Sequence, residues 1–188
     1  MDVTLFLWIN RLGGNIDWLD LLSSYLVNDY LIPVLLSSIV FGLWFSNPDK
    51  NRLNFDRLCV LASLLGVGIS NAINSVLNQF FSRPRPFETL EMNLLFYPPS
   101  DSSFPANPAV VGFALAVGIF LANRWLGSFA LFLAGMWGIS RIYSGVNFPL
   151  DVLVGSLLGG GSTLIVKVGF TYSLVGRMIT RKFSKWLN

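Results

Sequence analysis

The stretch Ser140–Asp151 holds three polar side chains whose types could bind a ligand or take part in catalysis. A guanidinium at Arg141, an amide at Asn147 and a carboxylate at Asp151 lie within a single short segment, between two long apolar runs. Ionisable groups at membrane depth are uncommon and usually serve a function or pair with one another. The pattern therefore favours a binding or catalytic site over a solvated surface.

Two other segments carry comparable polar groups. The first is the Arg-Pro-Arg-Pro sequence at 83–86, which contains Arg85 and follows a long apolar run. The second is the Pro-Ala-Asn-Pro sequence at 105–108, which predicts a helix start with Asn107 as N-cap and Pro108 at the first helical position. We interpret the proline-rich region between them as an irregular loop.

The composition indicates what must position these segments. Of the 188 residues, 53% are hydrophobic and only 12% are charged, and the mean hydropathy is +0.61, as in integral membrane proteins. The prediction is one all-α domain, residues 1–188, built as a multi-pass transmembrane bundle of about five to six membrane helices with interfacial amphipathic helices at both ends. The predicted spans are 31–45, 55–81, 109–121, 125–142 and 148–170, with 17–27 as a short further span or a tilted interfacial segment.

The distribution of basic residues predicts an orientation. An amphipathic basic tail at 167–188 is expected on the cytoplasmic side of a plasma (cytoplasmic) membrane. Alternation of the spans then places Arg83, Arg85 and Arg141 on the extracytoplasmic side. The remaining basic residues outside the tail are expected on the cytoplasmic side, and they are Arg11, Lys50, Arg52, Arg57 and Arg124.

Two helices carry rows of small residues that permit close helix contacts. One row contains Gly66 and Ser70, and the other contains Gly155 and Gly159. They pack either the chain's own bundle or neighbouring proteins. Membrane lipids and other membrane protein subunits are the expected partners, nucleic acid is not, and Cys59 is expected to be a small buried apolar residue.

Together the three polar segments resemble the signature motifs of the type 2 phosphatidic acid phosphatase and vanadium haloperoxidase superfamily, in its membrane lipid phosphatase branch. The family motifs are a lysine followed seven residues later by Arg-Pro, then Pro-Ser-Gly-His, then Ser-Arg, five residues, His, three residues, Asp. The resemblance covers about residues 55–165 in order and spacing.

The match lacks the residues that the family uses for chemistry. Asn78 occupies the lysine position, Pro108 the first histidine position and Asn147 the second, and the chain contains no histidine. In the family one histidine protonates the leaving group and the other attacks phosphorus. An asparagine amide has no basic nitrogen for that attack. The resemblance therefore implies no catalytic residue, no metal and no cofactor here.

Two interpretations of the remaining polar residues stay open. In the first they form a vestigial phosphate-binding site of Arg85, Asn107, Arg141, Asn147 and Asp151, with Asn147 bonded to Asp151 across one helix turn. In the second, Arg141 and Asp151 pair with each other and only brace helices. Arg83 is expected to lie at the membrane interface with its charge in water.

The functional hypothesis is a catalytically degenerate phosphatase-like membrane protein. It would act as a structural or assembly subunit of a membrane complex or as a phospholipid-headgroup binder. The alternative is an active lipid phosphate or undecaprenyl-pyrophosphate phosphatase that uses a non-standard site. Asp101, Ser102, Tyr143 and Ser144 lie close in sequence, but none has an evident base partner.

Overall fold

The predicted all-α architecture is confirmed. A computed structural model describes residues 2–172, which form eight helices and no strand. The helices are α1 Asp2–Asn10, α2 Asp17–Leu26, α3 Leu31–Leu43, α4 Lys50–Phe80, α5 Pro86–Thr89, α6 Asn107–Ala122, α7 Arg124–Tyr143 and α8 Pro149–Tyr172. The predicted amphipathic tail beyond residue 172 lies outside the described residues.

Local sequence accounts for several helix ends. The Asp49 side chain caps α4 by accepting a hydrogen bond from the Asn51 amide, and the proline-rich segment follows the end of α4. The Asn123 side chain caps α7 by accepting from the amides of Trp125 and Leu126, at 3.0 and 3.1 Å. An N-cap of this type satisfies amide groups that have no partner inside the helix.

Helix α6 lies at the centre of the bundle and contacts α3, α4, α7 and α8. The buried core is apolar, and Cys59 within it is fully buried, as predicted. At one end, Arg52 of α4 donates to the Ala122 carbonyl at the end of α6, at 2.5 Å. At the other end, Arg83 after α4 meets Asp151 at the start of α8. We call the end with Arg83 and Asp151 the site end.

Three helices, α4, α7 and α8, are each long and apolar enough to cross a membrane. Helices α2 and α3 meet the same criterion only together, and the pair is bent by 53°. Helix α6 is apolar but has 16 residues. Helix α3 runs from the site end to the opposite end. Asp29, before α3, contacts Arg141 at the site end, and Asn47, after α3, contacts Asp56 at the opposite end.

The N-terminal segment differs from its prediction. Helix α1 has no polar face, because Leu5 and Trp8 are exposed while Phe6 is buried. Its last residue, Asn10, donates to the carbonyl groups of Asn93 and Tyr143 at 2.8 and 2.9 Å, which ties the helix to the site end. The expectation that Arg11 lies at the end opposite to Arg83 is therefore wrong.

The small residues of α8 serve contacts inside the bundle. A Cβ atom at Gly155 would lie 2.6 Å from the Ala106 carbonyl oxygen, and one at Gly159 would lie 2.0 Å from the Val110 carbonyl oxygen. A Cβ at Gly66 would similarly meet Thr163 of α8. These glycines let α4, α6 and α8 approach closely. They consequently give no support to partner subunits, which stay a prediction.

Gly159→Ala is expected to lower the free energy of unfolding by about 1–3 kcal/mol, because the added methyl group displaces the α6 backbone. Gly161→Ala is the matched control. It lies on the same helix with nothing within 4 Å of its Cβ position, so better helix propensity should raise stability by up to about 1 kcal/mol. Unfolding in detergent, followed by circular dichroism, measures both. Equal effects of the two substitutions would contradict the observed packing.

Candidate functional site

The first part of the site is a chain of charges at the start of α8. Asp151 is fully buried, and its two oxygens accept from Arg83 Nη1 at 2.5 Å and from the Ser103 hydroxyl at 2.5 Å. The other amino group of Arg83 donates to Asp2 at 2.6 Å. Asp2 also accepts from the Leu150 amide in the first turn of α8. Arg83 thereby links the N-terminus of the chain to a buried carboxylate.

The prediction that Arg83 holds its charge in water is wrong. Its side chain is 28% exposed, and its guanidinium pairs with Asp2 and with the fully buried Asp151. Its guanidinium also stacks over the Phe148 ring at 4.1 Å. Burial lowers the pKa of Arg83, but the carboxylates of Asp2 and Asp151 outweigh that effect and raise it above its ordinary value. The charge of Arg83 is therefore permanent at any physiological pH.

The second part of the site centres on Arg141, which is 3% exposed. Its Nη1 donates to Asp29 at 2.5 Å, and its Nε donates to the Asn147 side-chain oxygen at 3.2 Å. The Asn147 amide group donates in turn to the Ser103 carbonyl at 3.0 Å. Both polar ends of the Asn147 side chain are thereby occupied within the protein.

Two predicted pairings are wrong. Arg141 does not pair with Asp151, because Asp29 neutralises Arg141 and Arg83 neutralises Asp151. Asn147 makes no hydrogen bond to Asp151, because α8 begins only at Pro149 and the two residues do not share a helix face. Gly145, with φ of +82°, makes the turn that separates α7 from this segment, a conformation that glycine adopts readily. Ser103 contacts both Asn147 and Asp151 instead.

Arg85 is bound entirely by neighbouring loops. Its Nε donates to the Asp101 carbonyl at 2.9 Å, Nη1 to the Val146 carbonyl at 2.9 Å, and Nη2 to the Asp101 carboxylate at 2.7 Å. The side chain is 3% exposed. All three nitrogens of this predicted phosphate ligand are therefore engaged in joining the loop before α6 to the turn before α8.

A cavity of ≈ 230 Å³ opens beside Arg141. Its lining also includes Trp137, two carboxylates, and the predicted site residue Asn107 with its neighbour Pro108. The full lining is Asp29, Pro33, Tyr97, Pro99, Asp101, Asn107, Pro108, Val111, Trp137 and Arg141. Of the five predicted site residues, Asn107 and Arg141 line this cavity, whereas Arg85, Asn147 and Asp151 are not part of its lining.

Tyr97 closes one side of the cavity through its hydroxyl, which donates to Asp29. That hydrogen bond, together with partial burial, raises the pKa of Tyr97. Asp29 therefore accepts from Arg141 through one oxygen and from Tyr97 through the other. Tyr97 stays a neutral hydrogen-bond donor at neutral pH.

The start of α6 lacks the predicted cap. Ala106 occupies the N-cap position, Asn107 is the first residue of the helix, and no side chain caps it. Asn107 accepts instead from Asn74 of α4 at 3.4 Å. The side-chain oxygens of Asn74 and Asn78 are buried and have no hydrogen-bond donor within the described residues. Asn78, at the family's lysine position, therefore brings no positive charge to the site.

Among the serine hydroxyls near the family motifs, that of Ser103 has a carboxylate acceptor within the described residues. Ser103 lies 2.5 Å from Asp151 and is fully buried, outside the cavity lining. Contrary to the prediction, the Tyr143 hydroxyl also has a carboxylate partner, since it donates to Asp20 at 2.6 Å. The Ser144 hydroxyl bonds to that of Ser23. Neither Tyr143 nor Ser144 belongs to the cavity lining. Within residues 2–172, no group of three His, Cys, Asp or Glu side chains could hold a metal ion.

A match to a known family profile identifies the superfamily of this chain. The family profile described as the PAP2 superfamily matches residues 59–174, more than half of the chain. This chain belongs to the PAP2 superfamily. The match includes all three polar segments and the helices that hold them, and it agrees with the resemblance seen in the motifs.

Named relatives and a solved structure support the same family. The chain is 32% identical over 167 residues to the bacitracin transport permease protein BcrC of Bacillus licheniformis, covering 88% of this chain and 79% of the relative. It is 27% identical to the putative undecaprenyl-diphosphatase YbjG of Escherichia coli strain K12, covering 99% and 90%. The crystal structure of Aquifex aeolicus LpxE has a TM-score of 0.66 and 29% identity, covering 88% of this chain and 93% of that one. The chain is accordingly a helical membrane protein of this superfamily.

Sequence reasoning missed two residues that organise the site. Asp29 lies 112 positions before Arg141, in the short connection between α2 and α3, and belongs to no family motif. Ser103 lies in the proline-rich loop with no periodic pattern around it. The signal available for Asp29 was its charge within a largely apolar region, since a carboxylate there needs a partner.

Proposed function

We propose that this chain binds the phosphate group of a membrane-lipid headgroup in the cavity beside Arg141 and does not hydrolyse it. The observation that carries the proposal is the arrangement of Arg141. It is a buried guanidinium that lines a cavity, and its Nη2 makes no hydrogen bond to any described residue. A guanidinium of this kind is well suited to phosphate oxygens.

The absence of hydrolysis follows from the side chains at the catalytic positions. Asn147 has no basic nitrogen, and its oxygen and amide group are already bonded to Arg141 and Ser103. Pro108 has neither an acid nor a backbone N–H to offer a leaving group. A phosphate bound beside Arg141 would therefore meet no nucleophile and no proton donor of the family's kind.

Hydrolysis of a polyprenyl diphosphate is the second candidate function. The names of relatives favour it, since YbjG is a putative undecaprenyl-diphosphatase and the Bacillus subtilis BcrC relative is named an undecaprenyl-diphosphatase. In this chain the hydroxyl best placed for such a reaction is that of Ser103, with Asp151 as its base. Its burial and the Arg83 pairing of Asp151 oppose this role. Phosphate release separates the two candidates.

The distribution of basic residues between the two ends of the bundle supports a proposed orientation of the protein in the membrane. Lys50, Arg52, Arg57 and Arg124 lie at the end opposite to the site, and Arg11, Arg83, Arg85 and Arg141 lie at the site end. Three of the four at the site end are paired with carboxylates. Lys167 near the end of α8 lies over the Phe55 ring of α4 and adds a fifth basic residue to the opposite end. This larger number of basic residues favours a cytoplasmic position for the opposite end and an extracytoplasmic position for the site, in a plasma membrane.

Lipid binding should depend on Arg141 and on the cavity. Native mass spectrometry of the protein released from lipid nanodiscs is expected to show a bound phospholipid that Arg141→Gln loses. Because Arg141 is buried and its loss leaves Asn147 without a donor, Val111→Phe is a second variant that fills the cavity and keeps every ion pair. It should lose the lipid too.

Arg11→Gln is the control, since it removes an exposed arginine at the same end of the bundle and should retain the lipid. Lipid retained by both cavity variants would overturn the proposal.

A further inference from the structure

We infer that the lipid headgroup recognised by this cavity is zwitterionic, with an amine beside the phosphate. The inference rests on the proposed lipid-binding function and names its ligand class. A site for a bare phosphate does not need carboxylates in its lining. Two carboxylates, of Asp29 and Asp101, line the same cavity as the arginine.

The charges that line the cavity do not favour an anion alone. Arg141 contributes one positive charge, whereas Asp29 and Asp101 contribute two negative charges. Arg85, the other nearby cation, is not part of the lining and is bonded to Asp101. A phosphate monoester or diphosphate would place two or more further negative charges against these carboxylates, and like charges at close range repel strongly where water is scarce.

A zwitterionic headgroup avoids that repulsion. Its phosphodiester carries one negative charge, which matches the Nη2 group of Arg141, and its ammonium group carries one positive charge, which matches the carboxylates. The Asp101 carboxylate uses only one oxygen for Arg85, and its other oxygen makes no hydrogen bond to a described residue. No net charge is then added to the site, and each charge of the headgroup meets an opposite charge of the lining that offsets its lost hydration.

The aromatic residues of the cavity lining also suit an ammonium group. Tyr97 and Trp137 supply aromatic rings among its lining residues, and aromatic faces attract ammonium groups. Tyr97 holds Asp29 in place through its hydroxyl. The volume of ≈ 230 Å³ accommodates a small headgroup.

A phosphodiester headgroup also agrees with the residues that the chain lacks. Binding a lipid that is to be left intact requires neither of the family's histidines. Asp29 and Asp101, by contrast, are needed only if the ligand carries a positive charge or if they serve as internal counterions for the arginines. The experiment must separate these two roles.

The test compares two lipids that differ only in the headgroup. Protein in nanodiscs with equal amounts of phosphatidylethanolamine and phosphatidylglycerol of identical acyl chains is released into native mass spectrometry. Wild type should retain the ethanolamine lipid about fivefold more than the glycerol lipid, the upper range for a partly exposed ion pair. Asp101→Asn should abolish this preference. The variant should fold, because the Asp101 side chain is 57% exposed and Arg85 keeps its carbonyl acceptors.

Asp17→Asn is the control, an exposed aspartate at the site end that should leave the preference unchanged. Equal retention of both lipids, or preference for the glycerol lipid, would overturn the inference if retention still depends on Arg141, and the proposed function would stand. A preference that persists in Asp101→Asn would also overturn it, since the carboxylate would then be only a counterion. Retention of neither lipid in an Arg141-dependent way would overturn the proposed function itself.

Discussion

Purified protein incubated with undecaprenyl diphosphate is expected to release no phosphate above a detergent blank. By the motif resemblance, Asn147 and Pro108 stand at the positions of the family's nucleophile and acid, and the chain has no histidine to substitute for them. Removing residues that act as a catalytic unit costs on the order of 10⁶ in rate. A colorimetric phosphate assay, with a histidine-containing relative as positive control, has the sensitivity to show such a difference.

The same assay tests the second candidate function through defined variants. If turnover occurs, Ser103→Ala should abolish it, because the Ser103 hydroxyl donates to the Asp151 carboxylate, whereas Ser102, Ser140 and Ser144 have no carboxylate acceptor among the described residues. Ser38→Ala is a matched control, since that serine is on α3 and bonds only within its own helix. Turnover that both Ser103→Ala and Arg141→Gln abolish, and Ser38→Ala retains, would replace the non-hydrolytic proposal with an active phosphatase.

Arg83→Gln is expected to lower the free energy of unfolding by about 3 kcal/mol, the low end of the range for removing one partner of a buried ion pair, because Arg83 itself is 28% exposed. Asp151 is fully buried, and Arg83 supplies its positive partner at 2.5 Å. Without that partner the carboxylate keeps only the Ser103 hydroxyl and a weak contact with the Phe148 amide. Chemical unfolding in detergent micelles gives the free-energy difference.

Two further variants identify the cause of that loss. Asp2→Asn removes the more exposed partner of Arg83 but keeps an oxygen for the Leu150 amide, so it should cost at most about 1 kcal/mol. Arg83→Gln combined with Asp151→Asn should be more stable than Arg83→Gln alone, because no unpaired charge is left buried. A double variant no more stable than the single one would show that stacking of Arg83 on Phe148, rather than the ion pair, stabilises this end.

Ion pairs within the protein occupy most of the arginine donors of the site. Each of the three arginines near the family motifs meets a carboxylate, and two of those carboxylates, Asp29 and Asp101, come from connecting segments rather than from the motifs. Arginines that bind substrate phosphate in a hydrolytic site need their donors free for that anion. Here only Arg141 keeps an unused amino group beside the cavity, which suits binding of a headgroup better than stabilisation of a transition state.

The sequence by itself determined the helical membrane architecture and the positions of the polar segments. Long apolar runs can satisfy their backbone groups in a bilayer only as helices, and prolines end or begin these helices locally. Motif spacing likewise indicated that Arg85, Arg141, Asn147 and Asp151 would come to one end of the bundle. These features depend on residues close together in the chain, or on the order of spans, both of which a sequence displays directly.

Only the tertiary structure decided which charges pair and which small residues face outwards. Arg141 pairs with Asp29 rather than Asp151, because the connection between α2 and α3, far away in the chain, places the Asp29 carboxylate 2.5 Å from Arg141. Asn147 lies before the start of α8 and therefore not on a face of that helix. Gly155 and Gly159 contact α6 because the bundle packs α8 closely against α6, which is remote from it in sequence. Ion pairs and close helix contacts depend on distances of a few ångströms between segments remote in sequence, and no local pattern specifies those distances.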